Sequence, residues 1–117
     1  MFVVDGDRII LTRGDSFYAT VEIKLKSGGD YTIQPGDKVT FYLKHSRMNA
    51  PKTRYTDAMP LITKEIPTDT LVLYLAPEDT KKLSFGEYVY DVEMTFADGG
   101  VDTFINNAVL SLVPEVG

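Results

Sequence analysis

Side chains that could carry out catalysis are few in this chain, and their spacing assembles no known catalytic motif. Cysteine is absent, and the single histidine, His45, is followed directly by Ser46. A Ser-His-Asp site depends on distant residues that the fold brings together, and the chain has no Gly-x-Ser-x-Gly elbow to present a nucleophile. We therefore predict that the protein is not an enzyme and that His45 is a solvated loop residue.

Acidic residues form close pairs that could bind a hard cation or divide acid and base roles. The pairs are Asp5/Asp7, Asp91/Glu93 and Asp98/Asp102. None completes the ligand pattern of a calcium loop, and aspartate beside glycine is also what tight turns require. The sequence therefore predicts no metal and no cofactor and argues against a small-molecule ligand. Asp91 and Glu93 are expected on a solvated strand face.

Two further short motifs have ordinary structural explanations. Arg13-Gly14-Asp15 spells a tripeptide that some integrins recognise, but it also has the composition of a turn between strands. Gly28-Gly29 and Gly99-Gly100 lack the Lys-Ser/Thr and the helix that follow the glycines of a phosphate-binding loop. We interpret all three as turns.

Basic residues cluster in one segment of an otherwise acidic chain. No acid occurs between Asp37 and Asp57, and residues 45–58 are predicted to form a long loop. Such a segment could dock an acidic partner, or it could be an ordinary solvated loop. The candidate partner-binding residues of this basic loop are Lys44, Arg47, Lys52 and Arg54.

Two tyrosines are candidates for a second contact surface. Tyr18 and Tyr74 fall on the outward faces of predicted strands, as does Val72. If the two strands are neighbours in one sheet, the tyrosines would form a partly apolar patch of the kind found at protein interfaces. We therefore add Tyr18 and Tyr74 to the candidate partner-binding residues.

The most regular strand of the chain is predicted at residues 87–96. Every second residue of this strand is aromatic or apolar, namely Tyr88, Tyr90, Val92, Met94 and Phe96. In an extended strand these five side chains lie on the same face, so we expect that face to pack in the core. Leu83 and Gly86 complete a Leu-x-x-Gly-x-Tyr pattern with Tyr88. This pattern indicates a tyrosine corner, in which the Tyr88 hydroxyl bonds back to the preceding backbone.

The remaining strands are short and separated by turn residues. Strands are predicted to begin near residues 2, 17, 38, 61, 70, 87 and 100, with one helical turn at 77–83, a hairpin turn at 97–100 and a bulge at Asn106-Asn107. We therefore predict an all-β, antiparallel, Ig-like β-sandwich of about seven or eight strands. Labelled A to G, these strands place Tyr90 where antibody domains carry a cysteine and Phe41 where they carry the core tryptophan.

Length and charge are consistent with one soluble globular domain spanning residues 1–117. The chain is 44% hydrophobic and 25% charged, with a net charge of −5 and an isoelectric point near 4.7. An acidic surface disfavours binding to nucleic acid or to anionic membranes. We also expect no signal peptide and no membrane-spanning segment.

Four segments together resemble a known group of proteins. They are residues 11–17 (LTRGDSF), 36–41 (GDKVTF), 86–92 (GEYVYDV) and 98–103 (DGGVDT). They are similar to the Ig-like domains of bacteriophage virion proteins, especially the N-terminal domain of baseplate upper proteins, over about residues 9–113. The resemblance implies a non-enzymatic structural or assembly protein of a tail, baseplate or capsid surface.

This resemblance also implies partners and a location. The expected partners are other virion proteins and further copies of the chain, and the expected location is the virion, after assembly in the bacterial cytoplasm. A ligand-binding or adhesion β-sandwich, one that recognises carbohydrate through its loops, is the alternative.

Overall fold

The computed structural model describes residues 2–5, 7–23, 29, 31–45 and 61–114, with the backbone alone at 2–5 and 106–107. Within them lie the strands and one short helix: β1 (Phe2–Asp5), β2 (Arg8–Thr12), β3 (Phe17–Thr20), β4 (Lys38–His45), β5 (Ile62–Ile66), β6 (Val72–Leu75), α1 (Pro77–Lys81), β7 (Gly86–Thr95) and β8 (Val101–Val113). The prediction of an all-β chain with one helical turn is confirmed.

The strands form two sheets of unequal size. The large sheet has the order β1-β2-β8-β7-β4-β5, and the small sheet contains β3 and β6. All pairs are antiparallel except β2 and β8, which run parallel. The prediction of a purely antiparallel sandwich is therefore corrected. Nearly the whole chain separates β2 from β8, so no tight turn imposes an antiparallel direction on this pair.

The strand β5 also differs from its expected place. Its position in the sequence gave it the label D, and strand D of an antibody constant domain lies in the sheet that contains strands B and E. Instead β5 pairs with β4, with Thr63 opposite Tyr42. The small sheet consequently consists of β3 and β6 alone among the residues that the structure describes.

The hydrophobic core lies between the two sheets. Phe17 and Leu75 of the small sheet and Phe41 and Leu110 of the large sheet are each fully buried. Phe41 also packs against Tyr90, with 5.5 Å between the ring centroids. The period-two alternation of the strands accounts for this core, since alternate side chains of each strand point to one face.

The tyrosine corner is present as predicted. Tyr88 is 5% exposed, and its hydroxyl donates a hydrogen bond of 2.7 Å to the carbonyl of Ser84. Burial raises the pKa of the Tyr88 hydroxyl. The bond ties the start of β7 to the connection that follows α1.

The Arg13-Gly14-Asp15 turn packs against the same connection. Gly14 donates its N–H to the Thr80 hydroxyl at 3.1 Å, and Thr80 is fully buried. Arg13 donates to the Leu83 carbonyl at 3.3 Å, and its guanidinium lies 4.1 Å from the centroid of the Phe85 ring. The arginine thus contributes to the fold, which supports the structural interpretation of this tripeptide.

A buried carboxylate joins two connections at another end of the molecule. Asp37, 7% exposed, accepts hydrogen bonds from the Gln34 N–H and the Tyr31 hydroxyl, both at 2.8 Å. The Ala97 N–H donates to its second oxygen at 3.3 Å. The bond from the Gln34 backbone is the main cause that lowers the pKa of Asp37, followed by the bond from Tyr31.

Candidate interaction surface

Tyr18 and Tyr74 form a stacked pair on the outer face of the small sheet. They lie directly opposite each other in the β3-β6 register, with ring centroids 4.6 Å apart and an interplanar angle of 32°. Tyr18 is 56% exposed and Tyr74 is 40% exposed. We call these two residues the tyrosine pair. The condition set by the sequence analysis, that the two strands are neighbours in one sheet, is met, and the role of the tyrosines in partner binding stays a prediction.

Two residues of β3, Tyr18 and Thr20, turn their backbone N–H and C=O groups away from β6. Val21 donates its N–H to the Leu71 carbonyl at 2.7 Å. In an antiparallel pair, such hydrogen-bonded residues alternate with residues whose backbone groups point away from the partner strand. The N–H and C=O groups of Tyr18 and Thr20 therefore point outward. No described residue pairs with them, and we call this side of the strand the β3 edge.

The corresponding edge of β6 is protected by side chains. The Val72 N–H donates to the Thr70 hydroxyl at 3.4 Å. The Ala76 N–H donates to an Asp79 carboxylate oxygen at 2.7 Å. These bonds satisfy the outward donor of Val72 and the donor of Ala76, the residue that follows β6, so the two edges of the small sheet are chemically different.

A cleft of about 430 Å³ lies between the end of β3 and the large sheet. We call it the edge cleft. The residues that line it are mostly apolar and include Ile9, Ala19, Val21, Val92, Phe104 and Ile105. Several of these side chains also belong to the core or pack against it. The edge cleft therefore leads from the surface beside the β3 edge toward the core between the two sheets.

A β-bulge shapes the wall of this cleft. Tyr90 pairs with Ala108 and Val92 pairs with Ile105, so β8 advances three residues where β7 advances two. This register shift confirms the irregularity predicted at residues 106–107. A second register shift follows, because Val92 pairs with Ile105 while Glu93 pairs with Thr103. Phe104 is the extra residue there, so Phe104 and Ile105 both line the cleft, whereas successive side chains of a regular strand alternate between faces.

Tyr90 is a buried residue that lines the edge cleft. Its hydroxyl donates to the carbonyl of Asp7. Burial, with a smaller contribution from the nearby Asp7 charge, raises the pKa of Tyr90 to about 12. A hydroxyl with such a pKa stays protonated at neutral pH and acts here as a structural donor.

The basic loop is described only at its start. Lys44 lies on β4, and its ammonium is 2.5 Å from a carboxylate oxygen of Asp91; the two side chains are 22% and 15% exposed. The expectation that Asp91 belongs to a freely solvated face is therefore wrong, because Lys44 covers it from the neighbouring strand. Arg47, Lys52 and Arg54 lie outside the described residues, so the partner-binding role of the basic loop stays a prediction.

His45 also differs from its expected setting. It is the last residue of β4 and lies opposite Tyr88. The two rings are 5.8 Å apart between centroids. The prediction of a solvated loop residue was wrong, because cross-strand pairing with β7 extends β4 beyond the point where its hydrophobic alternation ends.

The acidic pairs are described except for the side chain of Asp5. Within the described residues, no group of three or more histidine, cysteine, aspartate or glutamate side chains could hold a metal ion. Asp98 accepts a hydrogen bond of 2.9 Å from the Gly100 N–H, as expected of a turn residue. In the same part of the chain, no helix is long and apolar enough to cross a membrane.

The β3 edge and the edge cleft were not anticipated from the sequence. The alternation of residues 17–23 predicts which side chains face outward, but strand edges depend on which other strands pair, and that is set by distant parts of the chain. The sequence did contain one indication, the bulge predicted at Asn106-Asn107. Bulges redirect side chains and often lie next to functional sites.

Comparison of the chain with protein-family models, with curated proteins and with solved structures found no significant match.

Proposed function

We propose that this chain is a non-enzymatic Ig-like β-sandwich that serves as a structural or assembly component of a bacteriophage virion. It acts through protein–protein contacts in a tail, baseplate or capsid surface. It is made in the bacterial cytoplasm and joins other virion proteins and further copies of itself. The observation that carries the proposal is the tyrosine pair, which presents aromatic surface on the outer face of the small sheet.

The strand arrangement supports the Ig-like part of this proposal. Ig-like sandwiches place strands B and E in one sheet and strands C, F and G in the other. Here β3 and β6 form one sheet, while β4, β7 and β8 are adjacent in the other. Tyr88 supplies the corner before the strand that corresponds to F, and its hydroxyl bond to Ser84 has the expected direction.

The exposed aromatic surface supports the assembly part. Tyrosine is enriched at protein interfaces because its ring gives a large apolar area and its hydroxyl remains able to bond with water or a partner. Tyr18 and Tyr74 hold each other in place by stacking. Less side-chain entropy is therefore lost when a partner covers them.

Two experiments test this function. The genes that flank the coding sequence should encode head or tail proteins. Mass spectrometry of purified particles should then detect the chain, and the double variant Tyr18→Ser/Tyr74→Ser should be incorporated less. Val101→Ser is the matched control, because Val101 is an exposed apolar side chain, at 59%, outside the small sheet. Absence of the chain from purified particles would contradict the proposal.

A ligand-binding or adhesion module that recognises carbohydrate is the second candidate. The exposed rings of Tyr18 and Tyr74 favour it, since aromatic faces also stack on sugar rings. A glycan array separates the two functions. Binding that is lost in the Tyr18→Ser/Tyr74→Ser variant and kept in Val101→Ser would favour the adhesion module, particularly if the chain is absent from particles.

A further inference from the structure

We propose that the β3 edge is the contact surface for a second copy of this chain, so that two small sheets join into one continuous four-stranded sheet, β6-β3-β3-β6. This inference rests on the proposed assembly function and names one of its contacts. The two copies would be related by a twofold axis beside Tyr18, with the two β3 strands antiparallel.

The backbone of β3 is suited to binding another β-strand. The outward N–H and C=O groups of Tyr18 and Thr20 have no partner among the described residues, although the next residue, Val21, is paired with Leu71 across the sheet. A row of such groups is a template for another strand.

The β3 edge lacks two of the features by which strands usually avoid such pairing, namely charged residues and proline. Its sequence from Phe17 to Val21 contains no charge and no proline, and charged or proline residues are common protection on strand edges. The β6 edge is different, because the Thr70 hydroxyl and the Asp79 carboxylate already occupy outward donors. At the β5 edge of the large sheet, Lys64 forms an ion pair of 3.0 Å with Asp79.

The side chains favour self-pairing in one register. With Tyr18 opposite Tyr18 of the second copy, Thr20 lies opposite Ser16, and the outward backbone groups of both strands meet in hydrogen-bonded pairs. The Tyr18-Tyr74 stack then continues across the junction as a row of four tyrosines, and aromatic cross-strand pairs stabilise sheets. Residues 13–15 form a turn, so the segment that pairs in this register is residues 16–20, which contains no charged residue although the chain carries a net charge of −5.

The position of the edge cleft is consistent with this contact. It lies beside the same edge and is lined by apolar side chains such as Ala19, Val21 and Phe104. A second copy alongside β3 would remove part of this opening from water, which favours association. The contact is isologous: the same edge is used on both copies, and the assembly closes as a dimer.

Light scattering after size-exclusion chromatography tests the proposal on the native chain. A mass of twice 13.1 kDa is expected. Thr20→Pro removes an outward N–H without touching the bonds to β6, and proline is tolerated on strand edges. This variant should raise the dimer dissociation constant about tenfold or more, because a donor is lost from each copy. Thr20→Val, which keeps the backbone N–H and the branched shape of the side chain, is the matched control and should leave the dimer intact.

A cross-link gives a second measurement that does not depend on how well the proline variant folds. The chain contains no cysteine, so Tyr18→Cys introduces a single thiol. Two such thiols would face each other across the twofold axis, at a backbone separation that a disulfide can span. Oxidation should therefore give a covalent dimer with Tyr18→Cys and none with Tyr74→Cys, which lies one strand further from the axis.

Each outcome decides the proposal. A native chain that remains a monomer at about 1 mM, the weak end of the affinity scale, overturns it. So does a dimer that Thr20→Pro and Thr20→Val weaken equally, or a dimer without the Tyr18→Cys cross-link. A monomer that is nevertheless found in purified particles would overturn self-pairing alone and leave the virion function standing.

Discussion

The hydroxyl of Tyr88 donates a 2.7 Å hydrogen bond to the carbonyl of Ser84, four residues earlier in the chain. The bond fixes the corner through which the chain leaves α1 and enters β7. That strand lies in the middle of the large sheet and pairs with both β4 and β8. The corner therefore fixes where the first residues of β7 enter the sheet. The ring of Tyr88 also contributes to the core.

Removal of this hydroxyl should destabilise the fold moderately. We expect Tyr88→Phe to lower the free energy of unfolding by about 0.5 to 1.5 kcal/mol, because the ring stays buried and water can reach the freed carbonyl of Ser84, an exposed residue. Chemical denaturation measures the change. Tyr74→Phe, whose ring is 40% exposed, is the control and should be nearly neutral. If both variants unfold like the native chain, the corner bond contributes nothing.

The ion pair between Lys44 and Asp91 should contribute more than a surface pair. The side chains are 22% and 15% exposed, with 2.5 Å between their charged atoms. A double-mutant cycle with Lys44→Met and Asp91→Asn should give a coupling energy of about 1 to 2 kcal/mol, between the values for exposed and buried pairs.

The pair formed by Arg8 and Glu87 offers a matched control cycle. Its side chains are 54% and 58% exposed, and the charged atoms are 3.9 Å apart. Its coupling energy should be about 0 to 0.5 kcal/mol. Equal couplings in the two cycles would show that the partial burial of Lys44 and Asp91 has no energetic effect.

Sequence patterns predicted side-chain direction well and strand partners poorly. The outward placement of Tyr18 and Tyr74 follows from the period of two, which is a local property of a strand. The Tyr88 corner was also predictable, since donor and acceptor are close in the chain. The bond from Tyr90 to Asp7, the ion pair of Lys44 and the parallel pairing of β2 with β8 join distant segments, so composition and spacing do not encode them directly.

The turn at Gly36 should not accept a side chain. Gly36 has φ +91°, and a Cβ there would lie 2.9 Å from the Cβ of Ala97. Gly36→Ala should lower the free energy of unfolding by about 1 to 2 kcal/mol from backbone strain, with an added cost from the contact. Gly99→Ala isolates the strain, because Gly99 has φ +94° and open space around it. Thermal melting should rank Gly36→Ala as the less stable variant, and the reverse order would contradict the close contact.

Acidification should weaken the fold through Asp37. Its pKa is lowered from the ordinary value of 3.8 by the bonds from Gln34 and Tyr31. A group whose pKa is lowered by folding contributes stability above its unfolded pKa, and that contribution is lost as the pH falls through the folded pKa. The melting temperature of the native chain should therefore decline as the pH falls below about 4.

Asp37→Asn should separate this contribution from general acid effects. The variant should be less stable than the native chain at neutral pH, because one amide group cannot accept all three bonds that the carboxylate accepts from Gln34, Tyr31 and Ala97. The difference should shrink in acid, where the native carboxylate is itself protonated. Melting curves from about pH 7 to about pH 2 measure it. Asp98→Asn controls for the loss of one negative charge in the adjacent turn. A difference between native and Asp37→Asn that stays constant across this range would mean that the charge of Asp37 does not stabilise the fold.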